Sequence, residues 1–86
     1  MGELQKFKNI GPKGEYWLNQ ASFFTLEDIE AVGAVETWKR VREIRPQANL
    51  LGLYALQGAL MNLHWNALPE SLKDELRAAW ESDSAL

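Results

Sequence analysis

Apolar residues recur along this chain at three- and four-residue intervals, the spacing of a helix face, and nowhere sustain the strict alternation of a half-buried strand. Leu68, Leu72, Leu76 and Trp80 stand four apart over a charged outer face and predict a helix over about 69–81, with Pro69 among its early residues. Val35, Trp38, Val41 and Ile44 stand three apart among Glu, Lys and Arg. They predict a helix from Ala34 to about Arg45 that Pro46 closes. The run 48–64 is the most apolar. Ala48, Gly52, Ala55 and Ala59 make a stripe of small side chains, Leu53, Leu56, Leu60 and Leu63 a second stripe, and Leu50, Tyr54, Met61 and Trp65 a third. A helix apolar on several faces is expected to lie at the centre, with the others around it.

Shorter elements follow from punctuation. Leu4 and Phe7 lie one turn apart and suggest a first helix over 3–9, ended by Ile10-Gly11-Pro12-Lys13-Gly14. Pro12 also suits the first turn of a second helix reaching about Gln20 and burying Trp17 and Leu18. Thr25-Leu26-Glu27-Asp28 reads as a capping box opening a third helix that stops at Val32-Gly33. The fold expected is therefore a single all-α domain over 1–86, five or six short helices around the 48–64 helix, of the helix-hairpin-helix or SAM-like kind.

Composition narrows the chemistry. There is no Cys, which excludes disulfides, thiolate nucleophiles and iron–sulfur clusters, and one His excludes most His-based metal sites. That residue, His64, has neither a second His nor a carboxylate motif at helical spacing, so it is expected to be structural and no catalysis is assigned to it. Asn62 and Asn66 read as helix-end caps. Carboxylates such as Glu27/Asp28 and Asp74/Glu75 are sequence neighbours and point apart on a helix, so they form no acid/base pair. No enzyme, cofactor or small-molecule substrate is expected. The polar N-terminus leads into no apolar core of an export signal, and the 48–64 run is too short and polar to span a bilayer. The expected location is cytoplasmic.

Two surfaces are candidates for recognition. At the 10–14 turn, Gly11 and Gly14 precede or open a helix whose first amides and dipole favour an anion, and Lys6, Lys8 and Lys13 add positive charge. That arrangement suits a DNA phosphate. Against it stand Pro12, which removes an amide, Glu15, and a formal net charge of -3. The second candidate is aromatic. Four Trp, two Tyr and three Phe are many for this length, and most fall on the core stripes. Phe23 and Phe24 are adjacent and so hard to bury together, and Tyr16 beside Trp17 poses the same question. Tyr16, Phe23 and Phe24 are the candidate contacts for a protein partner or a homodimer.

The residues also resemble a known family. Asn9-Ile10-Gly11-Pro12-Lys13, Trp17-Leu18, Thr25-Leu26-Glu27-Asp28-Ile29 and Val32-Gly33-Ala34-Val35-Glu36 are similar to the start of the C-terminal domain of the TfoX/Sxy proteins. The later runs Asn49-Leu50-Leu51, Leu53-Tyr54-Ala55-Leu56, Gly58-Ala59-Leu60, His64-Trp65-Asn66-Ala67-Leu68-Pro69 and Leu72-Lys73 continue the likeness over about 4–80. The resemblance implies a bacterial regulator of DNA-uptake competence and gene activation, built as a small all-helical unit without established catalytic residues. Two departures stand out: these 86 residues do not include the N-terminal domain of full-length members, and Ala21-Ser22-Phe23-Phe24 replaces an expected Gly-Ile turn. The function expected is a non-catalytic regulatory and protein-interaction module. The alternative is a weak, sequence-independent DNA binder using Ile10–Gly14.

Overall fold

A computed structural model describes residues 3–82. It is all-helical, with no strand among those residues. The helices are α1 (Pro12–Gln20), α2 (Leu26–Val32), α3 (Ala34–Ile44), α4 (Leu50–Met61) and α5 (Glu70–Glu81), with 3₁₀ turns at Glu3–Lys6 and Trp65–Ala67. The expected first helix over 3–9 is thus one 3₁₀ turn. So short a segment cannot offset the cost of nucleating a helix, and Asn9 leaves it in the left-handed region at φ 72°.

Each helix begins and ends for a local reason. Pro12 sits at the start of α1, where its missing amide costs nothing. Thr25 caps α2 by accepting from the Asp28 amide, while the Asp28 carboxylate accepts from the Thr25 and Phe24 amides. The predicted capping box is therefore formed. Gly33 (φ 95°, ψ 153°) joins α2 to α3 directly, in a conformation open to glycine alone. Asn49 caps α4 by accepting from the Gly52 amide at 3.0 Å.

Two helices end on a left-handed residue that is not glycine. After α1, Ser22 (φ 73°) lets its own amide reach Asn19 O and the Phe23 amide reach Leu18 O. After α4, Asn62 (φ 57°) does the same, with the Leu63 amide reaching Gly58 O at 2.8 Å. These closures satisfy carbonyls that a helix end would leave unpaired, and each folds an apolar residue back onto its helix. The apolar run of 48–64 therefore stops being helical at Asn62.

The core lies where α3 crosses α4. Helix α3 packs on all four other helices, and α4 packs on α3, α5 and the 65–67 turn. Leu18, Ile29, Val41, Leu53 and Leu56 are buried there, with Leu4 from the N-terminal turn and Leu76 and Trp80 from α5. The centre is thus a pair of helices rather than α4 alone, and α4 leaves Leu51 and Met61 exposed. Ile44, grouped by spacing with Val35, Trp38 and Val41, is also exposed. A three-residue step falls about 60° short of a full turn, so the stripe drifts by about 180° between Val35 and Ile44. The buried face of α3 is Ala34, Thr37, Trp38 and Val41.

The stripe of small residues on α4 admits close neighbours. The Trp38 indole lies on Gly52, where an added Cβ would fall 2.5 Å from Cζ2, and its N–H donates to Asn49 O at 2.8 Å. Gly58 admits Asn9, whose Nδ2 would lie 2.6 Å from a Cβ at that position. Asn9 donates to Ala55 O at 3.2 Å and Leu63 O at 2.9 Å, and accepts from the Trp65 amide at 3.3 Å. One side chain from the N-terminal turn thereby ties the end of α4 to the turn that follows it.

Candidate recognition surfaces

The 10–14 turn does not depend on its glycines. Gly11 has φ -98° and open space about it, and a Cβ on Gly14 would make ordinary contact with Ile10 at 3.8 Å. Neither position demands glycine. Gly11 supplies no side-chain cap, and the first turn closes with the Glu15 amide donating to Gly11 O, so the amides of Lys13 and Gly14 precede that bond. Lys13 is exposed, with its ammonium 5.0 Å from the Trp17 ring centroid. Lys6 and Lys8 are exposed at the end of the 3₁₀ turn and just beyond it.

Glu15, whose charge counted against an anion site, is buried. Its carboxylate accepts from the Leu4 amide at 3.2 Å and from Gln5 Nε2 at 2.6 Å. It anchors the N-terminal turn under α1.

The aromatic candidates separate. Tyr16 is 57% and Phe24 55% exposed, one on α1 and the other at the entry to α2. Phe23 is only 4% exposed and belongs to the core, so it is not available to a partner. The reason is the left-handed Ser22, which turns the chain so that Phe23 lands on the helix it has just left while Phe24 stays outside.

Sequence reading missed a row of stacked cations and rings. Trp17 stacks on Trp38 with centroids 6.3 Å apart. The Arg45 guanidinium lies 5.6 Å from the Tyr16 ring and 5.9 Å from Trp17, and its Nε donates to Gln20 at 2.9 Å. Arg42 lies 4.2 Å from the Trp80 ring and donates to Trp80 O. The basic half of α3 therefore binds the domain together as well as completing the helix dipole. The signal available in the sequence was the coincidence of Arg42 and Arg45 with aromatic helices on either side.

His64 is exposed, and its Nδ1 accepts from the Asn66 amide at 3.2 Å, opening the 65–67 turn. Its role here is this local cap. Asn66 is the donor of that bond rather than a cap, whereas Asn62 does end α4. Among the described residues no cluster of three or more His, Asp or Glu is arranged to hold a metal. No described helix is long and apolar enough to cross a membrane.

These features define a small helical domain with two exposed aromatic side chains and a basic turn. The chain belongs to the TfoX C-terminal domain family, whose model matches residues 1–80. Two crystal structures of Listeria monocytogenes proteins have the same fold. An uncharacterized protein in triclinic form has a TM-score of 0.83 and 34% identity over 86% of this chain and 84% of its own. A protein of unknown function in tetragonal form also has a TM-score of 0.83, with 32% identity over 87% of this chain and 93% of its own. No curated protein matches.

Proposed function

We propose that the domain is a non-catalytic regulatory module that works by binding another protein or a second copy of itself. The observation that carries this reading is that Tyr16 on α1 and Phe24 at the entry to α2 are each more than half exposed. Large rings left in water are costly to the folded chain alone and are the usual anchors of an interface. Membership of the TfoX C-terminal domain family supports the regulatory part, which the resemblance links to competence and gene activation.

The test is site-specific crosslinking in the native host, with a photoreactive phenylalanine placed at Tyr16, at Phe24 and, as a control, at the exposed Glu75 on α5. The reading expects one discrete protein adduct from the first two positions and none from the third. Identical adducts from all three, or none, would refute it.

A second reading has one observation in its favour. The carboxylate of Glu15 is engaged by Leu4 and Gln5, leaving Lys13 exposed beside the uncapped start of α1. That end of α1 suits a DNA phosphate. Binding to a short duplex that weakens steeply with salt, and is lost on Lys13→Glu, supports this reading; no complex at low salt excludes it.

A further inference from the structure

The two exposed rings stand in surroundings of opposite charge. Tyr16 has the Arg45 guanidinium 5.6 Å from its ring, and Lys13 lies one turn before it on α1. Lys13 and Arg45 also approach one common ring, at 5.0 and 5.9 Å from the Trp17 centroid, so both positive charges gather beside Tyr16. Phe24 precedes Glu27 and Glu30, which stand three apart on α2 and are both exposed. The Glu3 carboxylate accepts from the Leu26 amide at 3.4 Å and adds a further negative charge at that end of α2. The sorting begins in the sequence, where residues 14–38 contain no Lys or Arg.

Within one copy the two sets of charges do not meet. None of Lys13, Arg45, Glu27 and Glu30 belongs to an ion pair among the described residues. Arg45 commits its Nε to the neutral Gln20. Glu15, the one acid on α1, is buried on the Leu4 amide and Gln5, so it does not offset the cations outside. Glu36 and Glu43 stand seven apart on the outward face of α3, opposite its buried residues, and Glu36 pairs with Arg40 there.

We infer that the occupant of these two surfaces is a second copy of the chain, with Tyr16, Lys13 and Arg45 of one copy against Phe24, Glu27 and Glu30 of the other. An acidic partner matches the first surface and leaves the second without a counterpart, and a basic partner does the converse. A second copy matches both at once, because a two-fold dimer repeats each contact in the opposite sense. The rings form the apolar centre of the contact and the charges its rim, where they select the partner and fix the register more than they add strength. The inference rests on the reading of Tyr16 and Phe24 as interface anchors and adds what they bind.

The experiment is analytical ultracentrifugation of the purified full chain and of charge-reversed variants. The parent should dimerise with a dissociation constant of about 100 μM, as suits a small contact rimmed by exposed charges. Lys13→Glu/Arg45→Glu and Glu27→Lys/Glu30→Lys should each weaken self-association about tenfold or more, since attraction becomes repulsion at both repeats of the contact. Mixed together, the two variants should regain the parent affinity, because every facing charge is again opposite. Glu75→Lys/Glu81→Lys on α5 has the same net charge as the second variant but keeps the acids of α2. The first variant, fluorescently labelled, should therefore bind this control about tenfold more weakly than it binds the second variant. Arg45 also braces Tyr16 within the fold, so helical circular dichroism is compared first; Lys13→Glu alone, with an effect of about threefold, replaces the double variant where that signal is lost. A chain that stays monomeric at millimolar concentration, association unchanged by both variants, or equal capture by the α5 control would overturn the inference. Crosslinks from Tyr16 or Phe24 to a different protein, with the purified chain monomeric, would also overturn it while leaving the interface reading in place.

Discussion

Replacing Asn9 by glycine isolates the contact on which the junction between α4 and the 65–67 turn depends. The backbone there is left-handed at φ 72°, which glycine adopts freely, so Asn9→Gly removes the carboxamide without straining the chain. What is lost are two donated bonds, at 3.2 Å to Ala55 O and 2.9 Å to Leu63 O, and one accepted from the Trp65 amide at 3.3 Å. Each such bond is worth about 0.5–1.5 kcal/mol net. Two of the three are long and the site is half-buried, so water recovers part of the loss and about 2 kcal/mol is expected. A chain of this length has about 4–13 kcal/mol in total, which makes the change a large one. Asn9→Ala should cost about 1 kcal/mol more than Asn9→Gly, because its Cβ disfavours the left-handed region. Asn9→Asp should be the worst, because it turns a carboxylate onto two carbonyl oxygens. Urea unfolding followed by tryptophan fluorescence measures all three. With a slope of about 1 kcal/mol per molar urea, the midpoint of Asn9→Gly should fall by about 2 M. A loss below about 0.5 kcal/mol, or Asn9→Ala no worse than Asn9→Gly, would refute the reasoning.

Three further outcomes are expected. Ser22→Gly should stabilise the domain by about 0.5–1 kcal/mol in the same assay, since it relieves a left-handed residue at φ 73°; a loss would show that the Ser side chain matters more than its backbone. Thr37 is fully buried in α3 and its hydroxyl has no hydrogen-bond partner, so Thr37→Val should be neutral or stabilising by about 1 kcal/mol, and a comparable loss would reveal a partner. The Phe24 amide, the Thr25 amide and the Thr25 hydroxyl hold the Asp28 carboxyl below its ordinary 3.8. Its native value is depressed, so its contribution is complete above that ordinary value and is lost as pH falls through the lowered one. The stability gap between the parent and Asp28→Asn should therefore close as pH falls below about 4, and a gap that stays constant on acidification would contradict the capping account.

Local signals were legible where one residue decides one bond. Thr25 and Asp28 announce their capping box, Pro12 the start of α1, and the four-residue spacing of Leu72, Leu76 and Trp80 the inner face of α5, with Leu68 buried just before it. Errors arose where the backbone turned without a glycine. Ser22 and Asn62 take left-handed conformations that the sequence does not flag, so spacing alone offers Phe23 to a partner and carries α4 past its end. The centrality of α3 is hidden because a three-residue spacing drifts around the helix instead of marking one straight stripe. Asn9 escaped for another reason: its partners lie at 55, 63 and 65, and nothing local in the chain marks so distant a contact. The close approach at Gly52 shares that character. The stripe of small residues signals that something approaches α4 there, and only packing shows that it is the Trp38 indole.

The account rests on the α3–α4 crossing as the part of the molecule that everything else covers. Residue-resolved amide hydrogen exchange under native conditions tests this directly. The amides of Thr37–Val41 and Leu53–Ala59 should exchange only through global unfolding, while α2, the 10–14 turn and the ends of α5 open at lower free energy. Exchange through local opening in both central segments, at rates like those of α2, would contradict it.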